Sequence, residues 1–268
     1  MLKKGAKKLL RAVGLQRAQV AAARMAAERT GLATLSANRS DRTGGRILAY
    51  HSVSQPQTGV NDVSLERFER QLDLLTDLGF EIVPASTIAA DGGQPNQVAI
   101  TVDDAWTSAA EIIAPVLRKR DLPWSLFVVS QWSDHTDEWT RDTILNWDAL
   151  KRLQGEDLEI GSHSVTHPDF AKLARSEIEH ELQASRARIE ACLGFAPTSF
   201  AIPFGQSMNW TDEAQAIARQ TGYDVIYAQA ENTRHPATIG RTFVTKFDND
   251  RIFRALLNGA FDNWEEWV

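Results

Sequence analysis

Val98-Ala-Ile-Thr-Val-Asp-Asp-Ala105 decides how this chain is read. Val98–Val102 is an apolar run of strand length, and it ends on two adjacent carboxylates, Asp103 and Asp104. A second stretch has the same form. The run Leu158–Ile160 leads into His163-Ser-Val-Thr-His167. Polar side chains where a strand stops are the mark of α/β folds, which keep their chemistry at strand ends. Two carboxylates and a His-x-x-x-His pair form a set of hard and borderline donors suited to a divalent cation, Zn²⁺ first. One carboxylate would be left over to act as a base.

The flanking sequence alternates strand and helix. Arg46–Tyr50 reads as a short strand that delivers His51. Ser64 caps a helix with Leu65, Phe68, Leu72, Leu75 and Leu78 on one face, ended by Gly79. Glu81–Val83 is a brief strand. The helical pattern of Ile112, Ile113, Val116 and Leu117 is bent or restarted by Pro115. Trp124–Val129 is a strand and Asn146–Leu153 a short helix. Ser176-Glu-Ile-Glu179 reads as a capping box opening a helix. Its stripe is Ile178, Leu182, Ile189, Cys192 and Leu193, and Gly194 closes it, so Cys192 is a small core residue rather than a nucleophile. Phe200–Ile202 is a strand ending in Pro203-Phe-Gly205. Thr211 caps a helix that Gly222 ends, and Asp224–Ala228 and Arg241–Val244 are the last strands. Repeated strand–helix units with polar strand ends predict a βα barrel, incomplete if the count of units is low.

The 268 residues are normal for one such barrel. With 43% hydrophobic and 24% charged residues, a full core is available. No run approaches the ~18 apolar residues of a membrane span. The net charge of −6 is uneven. Residues 1–30 carry eight Lys/Arg and one Glu, while the rest carries 21 basic against 34 acidic side chains. An acidic body argues against a nucleic-acid partner. One cysteine excludes an intrachain disulfide and is compatible with a reducing compartment. Residues 1–15 start like a signal peptide, but Arg11 interrupts the apolar section. A basic helix over 2–30 is expected instead, either as a peripheral anchor on an anionic inner leaflet or as a solvated extension packing on the body or on another subunit. Residues 36–45 read as the linker, dividing the chain into an extension (1–45) and a catalytic body (46–268).

Four strand-end motifs then line up in one order: Tyr-His-Ser-Val (50–53), Thr-Val-Asp-Asp (101–104), Gly-Ser-His-Ser-Val-Thr-His (161–167) and Phe-Ala-Ile-Pro-Phe-Gly (200–205). This order resembles the polysaccharide deacetylases of the NodB-homology group, carbohydrate esterase family 4. The resemblance runs from about residue 46 into the 240s. It implies a distorted (β/α)7 barrel, a divalent metal, commonly zinc, and hydrolysis of an N-acetyl group on a sugar. By the resemblance, Asp104, His163 and His167 match the metal ligands and Asp103 the base. The Phe204 N–H matches an oxyanion donor.

Three departures stand out. Many family members have Gly where this chain has Ala105; Ala disfavours positive φ, so either the turn differs or it never needed that conformation. The Arg that orients the base is replaced by Ala201, and the usual late Leu-x-His is absent. A branch resembling the poly-N-acetylglucosamine deacetylases begins with Tyr-His-x-Val and uses that early His in place of the late one, which His51 matches. Arg241 falls where that branch often carries a strand Arg, either pairing with Asp103 or making an ordinary salt bridge. His235 reads as a turn residue and His180 as an exposed helix residue.

Of eight tryptophans, Trp106, Trp132, Trp139, Trp147 and Trp210 follow strands or lie in loops. Core or loop packing accounts for most tryptophans; Trp106, directly after the Asp pair, is the one expected to touch a sugar ring. The sequence therefore points to a cytoplasmic metal-dependent sugar N-deacetylase, at the inner face of the membrane if residues 2–30 bind it. Its substrate would be an N-acetylated carbohydrate, with a nucleotide- or lipid-linked glycan precursor as the narrower expectation. The alternatives are an amidase or esterase on a non-sugar acyl compound, and a non-catalytic glycan-binding scaffold.

Overall fold

The computed structural model of the chain describes residues 2–35 and 43–265, with side chains from residue 19 onward. Most of the expected linker, residues 36–42, lies outside the described residues, as do the last three residues. Eight parallel strands form one curled sheet: β1 (Arg46–Tyr50), β2 (Glu81–Ile82), β3 (Gln97–Asp103), β4 (Trp124–Val128), β5 (Leu158–Ser162), β6 (Ser199–Ala201), β7 (Val225–Tyr227) and β8 (Thr242–Phe243). Their order is β8-β1-β3-β4-β5-β6-β7, and β2 pairs with the first residues of β3. The sheet is a half-barrel with helices packed around it, the incomplete (β/α) barrel expected from the motifs.

Parallel pairing puts every strand's C-terminal end on the same rim. The register makes this concrete: Tyr50 lies opposite Val102, Asp103 opposite Phe127, Val128 opposite Ser162, and Ser162 opposite Phe200. His51, Asp103, Asp104, His163 and the Pro203–Gly205 turn therefore leave the sheet at one level.

Between β7 and β8 the strands do not ladder directly. The seam is spanned by Ala228 N–H to the Ile239 carbonyl (2.9 Å), Ile239 N–H to the Ile226 carbonyl (2.8 Å) and Arg241 Nε–H to the Ala228 carbonyl (3.1 Å).

Local chemistry explains the element ends. Ser64, Asn146, Thr211 and Asn249 each accept a hydrogen bond from the first turn of the helix they precede, a cap contributing about 1 kcal/mol. The capping-box expectation at Ser176 is corrected by one turn's start. The helix runs Arg175–Leu193, and Glu177 reaches back to the Ala174 N–H at 2.7 Å. Ala174 has no side-chain acceptor, so only half of a box forms. Cys192 is half-buried on that helix beside buried Ile189 and Leu193. Around Pro115 a wide π-turn, Ala109–Ile113, precedes the short helix Ala114–Arg118. A Pro lacks the N–H for an i→i−4 bond, and the wider turn absorbs that loss.

The first helix runs unbroken over Leu2–Leu35. Its last third is joined to the body. Met25, Arg29 and Ala33, one turn apart on one face, are buried, whereas Val20 and Leu35 are exposed. The C-terminal segment returns to the same place, with Phe261 buried and Trp264 packed beside it.

Candidate metal centre and its proton-transfer residues

β3 stops at Asp103, and the next two residues, Asp104 and Ala105, are both left-handed (φ 74° and 59°). The turn does need positive φ. Of the two sequence readings of Ala105, a turn that never needed positive φ is excluded. Left-handed backbone costs an L-residue roughly 1–2 kcal/mol, and Ala105 meets that cost inside the core, fully buried. The double left-handed step turns Asp104 away from the strand face that Asp103 occupies.

After β5, His163 is buried and its Nδ1 lies 2.8 Å from the Ala201 carbonyl. That contact makes Nδ1 the protonated nitrogen and leaves Nε2 as a lone-pair donor. Ser164 and His167 are left-handed (φ 72° and 61°), so the His-x-x-x-His stretch is a looped-out turn and not a helix. Glu181 pins this loop. It accepts the N–H groups of Val165 (2.8 Å) and Thr166 (2.9 Å) and the Thr166 hydroxyl (2.7 Å). Glu181 escaped the sequence reading. Its signal was present: an acidic residue beside Leu182 and three after Ile178, on the buried stripe of its helix.

These turns bring the three expected ligands together. One donor atom each from Asp104, His163 and His167 lies within 4.8 Å of the others. His163 Nε2 and His167 Nε2 stand 3.6 and 3.7 Å from Asp104 Oδ1. That is about the span of two donors each roughly 2.1 Å from one shared ion. Asp104 Oδ1 is buried and has no hydrogen-bond partner, while Oδ2 accepts the Trp106 indole N–H at 3.0 Å. A buried carboxylate oxygen left unpaired is costly unless a cation faces it. The donor set, two imidazoles and a carboxylate, is one that zinc and its neighbours accept.

Asp103 borders this group, its Oδ2 3.9 Å from His163 Nε2, but has a partner of its own. Arg241 holds both its oxygens, with Nη1–Oδ1 at 2.7 Å and Nη2–Oδ2 at 2.8 Å. Both residues are buried. Burial alone would raise the Asp103 pKa, but the Arg241 charge and hydrogen bonds, with His163 and His51 nearby, hold it well below the usual carboxylate range. Of the two sequence readings of Arg241, pairing with Asp103 is the one observed. Arg241 also donates to Thr101 Oγ1 (3.1 Å).

His51 is buried, faces the Asp104 and Asp103 charges, and packs edge-on against Phe243, with ring centroids 5.5 Å apart. Burial lowers its pKa, with the two carboxylates opposing. Its Nδ1 has no hydrogen-bond partner. In contrast to His163, it is therefore not locked by a backbone carbonyl. Burial pushes the His163 pKa down to about 4.

The rim is aromatic. Trp132 stacks on His167 (5.5 Å, 27° between planes), and Phe204 meets the same ring at 4.7 Å from another side. Trp106 and Trp139 extend the cluster, with Trp139 and Phe204 each 46% exposed. Phe204 is held left-handed (φ 61°). The following Gly205 is required, since a Cβ there would fall 2.5 Å from the Gln229 Cβ. Trp147 and Trp210 are structural, donating to Asp134 and Gln215. His235 sits in a turn whose Ala237 N–H donates to its Nδ1, with its Nε2 2.8 Å from Asp212 at the start of the Asp212–Thr221 helix, and His180 is exposed.

A family model described as polysaccharide deacetylase matches residues 90–226, half of the chain and all three of the converging donors. The chain belongs to the polysaccharide deacetylase family. His51 and Arg241 fall outside the matched segment. Among relatives of this deacetylase family member, the YxkH protein of Bacillus subtilis (strain 168) is 24% identical over 184 residues, 67% of this chain and 62% of the relative. The chitooligosaccharide deacetylase of Bradyrhizobium sp. (strain ANU 289) is 26% identical over 116 residues, 43% of this chain and 47% of the relative. The chain thus spans about half to three fifths of the length of these two relatives. Among solved structures, IcaB from Ammonifex degensii superposes with a TM-score of 0.66 at 20% identity, covering 83% of this chain and 99% of that one. At this identity the likeness is one of fold.

Proposed function

We propose that this protein is a metal-dependent hydrolase that removes the acetyl group from an N-acetylated sugar. The observation that carries the reading is the buried, unpaired Asp104 Oδ1 facing two imidazole Nε2 atoms, directly beside a carboxylate already neutralised by its own arginine. Asp104, His163 and His167 would hold the ion, zinc first. When bound there, a divalent cation lowers the pKa of a coordinated water and polarises an acyl oxygen.

This chain's own residues carry the protons. Asp103 accepts the proton of the attacking water, and Arg241 fixes the carboxylate in the orientation this requires. The Phe204 N–H donates to the oxyanion of the tetrahedral intermediate. His51, buried at its strand end and facing the Asp103 and Asp104 carboxylates, delivers a proton to the leaving amine. The aromatic rim of Trp106, Trp132, Trp139 and Phe204 offers faces on which a pyranose can stack. Two departures that favour a binding scaffold have counterparts here: Arg241 orients the base in place of the residue at Ala201, and Ala105 adopts the left-handed turn.

As substrate class we propose a nucleotide- or lipid-linked glycan precursor in the cytoplasm, with the part of residues 2–30 ahead of the buried Met25 and Arg29 resting on an anionic membrane surface. Support comes from the basic sequence of that stretch and its unbroken helix.

The test is acetate release from N-acetylglucosamine oligomers and from nucleotide-linked N-acetyl sugars by protein stripped of metal and reloaded with zinc. Release that needs zinc and is lost in His163→Ala is expected. Zinc bound at one per chain with no acetate from any N-acetylated sugar would sink the reading in favour of the scaffold or of a non-sugar amidase. Flotation with anionic but not zwitterionic vesicles checks the membrane contact.

A further inference from the structure

The first helix, outside the family-matched segment, reaches the strand segment whose Phe243 ring packs on His51. Arg29 of that helix is fully buried. Its Nε and Nη2 donate to the two oxygens of Asp248 at 2.6 Å each, and Nη2 also donates to the Phe243 carbonyl at 3.0 Å. The guanidinium lies over the Phe261 ring at 4.4 Å and near that of Trp264 at 5.4 Å, so the C-terminal segment clamps it from the other side. A buried, bidentate, ring-stacked arginine is a rigid fixture.

Two routes lead from it to His51. The short one is Phe243, whose carbonyl Arg29 holds and whose ring packs edge-on against the His51 ring. The second runs through Asp248. Its carbonyl accepts from Gln71 Nε2 (2.9 Å), and Gln71 Oε1 accepts from the hydroxyl of Tyr50 (2.9 Å), the residue before His51. Phe243 also follows Arg241 by two residues, so the same segment carries the clamp on Asp103. By contrast, Asp104, His163 and His167 are positioned by β3, β5 and the helix bearing Glu181.

We propose that Arg29 is a positioning residue for His51. The first helix, fixed to β8 through Phe243 and to Asp248 after it, sets the proton-donor side of the site without setting the metal side. The effect on turnover rests on the deacetylase reading above; the effect on the geometry of His51 does not.

Arg29→Lys keeps a charge for Asp248 but cannot make the bidentate pair and the carbonyl bond together. Phe243→Leu leaves the Arg29–Asp248 pair intact and removes the ring from His51. Both are compared with the parent by ¹H–¹³C correlation of the histidine rings in zinc-loaded protein, by zinc content, and by kcat and KM for acetate release. The expected result is a displaced His51 resonance in both variants, unmoved His163 and His167 resonances and one zinc per chain. Turnover should fall about tenfold, with KM within about twofold. An unmoved His51 resonance in either folded variant overturns the proposal, and so does a shift shared equally by His163 and His167. If no sugar is turned over by the parent, the deacetylase reading fails, and the resonances still decide the role of Arg29.

Discussion

Arg241 and Asp103, 138 residues apart in sequence, form a bidentate, fully buried ion pair in which both carboxylate oxygens are engaged at 2.7 and 2.8 Å. A planar fork matched to a carboxylate is something lysine cannot reproduce. Arg241→Lys is expected to lower kcat by about 10²-fold with little change in zinc content, because the base loses its fixed orientation. Arg241→Gln leaves a buried carboxylate without its charge partner, which costs about 3–5 kcal/mol in urea unfolding. Adding Asp103→Asn to it should restore much of that stability and none of the activity. A double variant no more stable than Arg241→Gln alone would show that the pair is not what holds this region.

The ligand trio makes a separate prediction. Trp106 donates to Asp104 Oδ2 and so orients the other oxygen toward the two histidines. Outer hydrogen bonds of this kind are worth 10- to 100-fold in metal affinity. Trp106→Phe keeps the ring among Trp132 and Trp139 but loses the N–H. Zinc affinity, measured by competition with a chromophoric chelator, is expected to fall about tenfold. His163→Ala should abolish binding. Unchanged affinity in Trp106→Phe would mean that Asp104 is oriented by the left-handed turn alone.

The contrast between these two sites shows what the sequence could carry. Asp104, His163 and His167 were legible because each follows an apolar run, and parallel strands present their ends on one rim. Arg241 was half legible: its place at the start of a strand was visible and pairing with Asp103 was one of two readings, but the choice depends on how far the sheet curls, which no local pattern encodes. Ala105 left two readings open because local propensity opposes what the fold imposes there, a buried Ala driven to φ 59°. Glu181 and Arg29 were missed for a shared reason. A charged residue on a helix reads as solvent-facing until its partner, a loop of N–H groups or a buried Asp248, is known.

The aromatic rim holds rings of two kinds, one open to solvent and one packed on His167. Trp139 is the tryptophan of the rim most open to solvent and makes no hydrogen bond to Asp104, His163 or His167 among the described residues, whereas Trp132 stacks directly on His167. Trp139→Ala is expected to raise KM for an oligosaccharide several-fold, with kcat and zinc content near parental values. Trp132→Ala should disturb both. Equal kinetic effects of the two substitutions would argue that the rim acts as one packing unit and not as a sugar platform.

Acid sensitivity follows from His163. Its pKa is pushed down by burial to about 4, against about 6.5 in an unfolded chain. Between these values the unfolded state binds the extra proton, so stability is full above about pH 6.5 and is lost as pH falls toward 4. The integrated difference reaches roughly 2 kcal/mol by pH 5. His51, lowered by the same cause, adds in the same direction. Asp103 is held below the usual carboxylate range, so its loss begins only below about pH 4 and does not enter this window. The measurement is urea unfolding of chelator-treated protein at pH 7 and pH 5. His163→Asn is the control, because an Asn amide can replace the Nδ1–H bond to the Ala201 carbonyl and does not titrate. The parent should lose about 2 kcal/mol more than the variant over this interval. Equal losses in the two proteins would show that His163 is already protonated in the folded apo form, which would require an acceptor such as Asp104 to hold it.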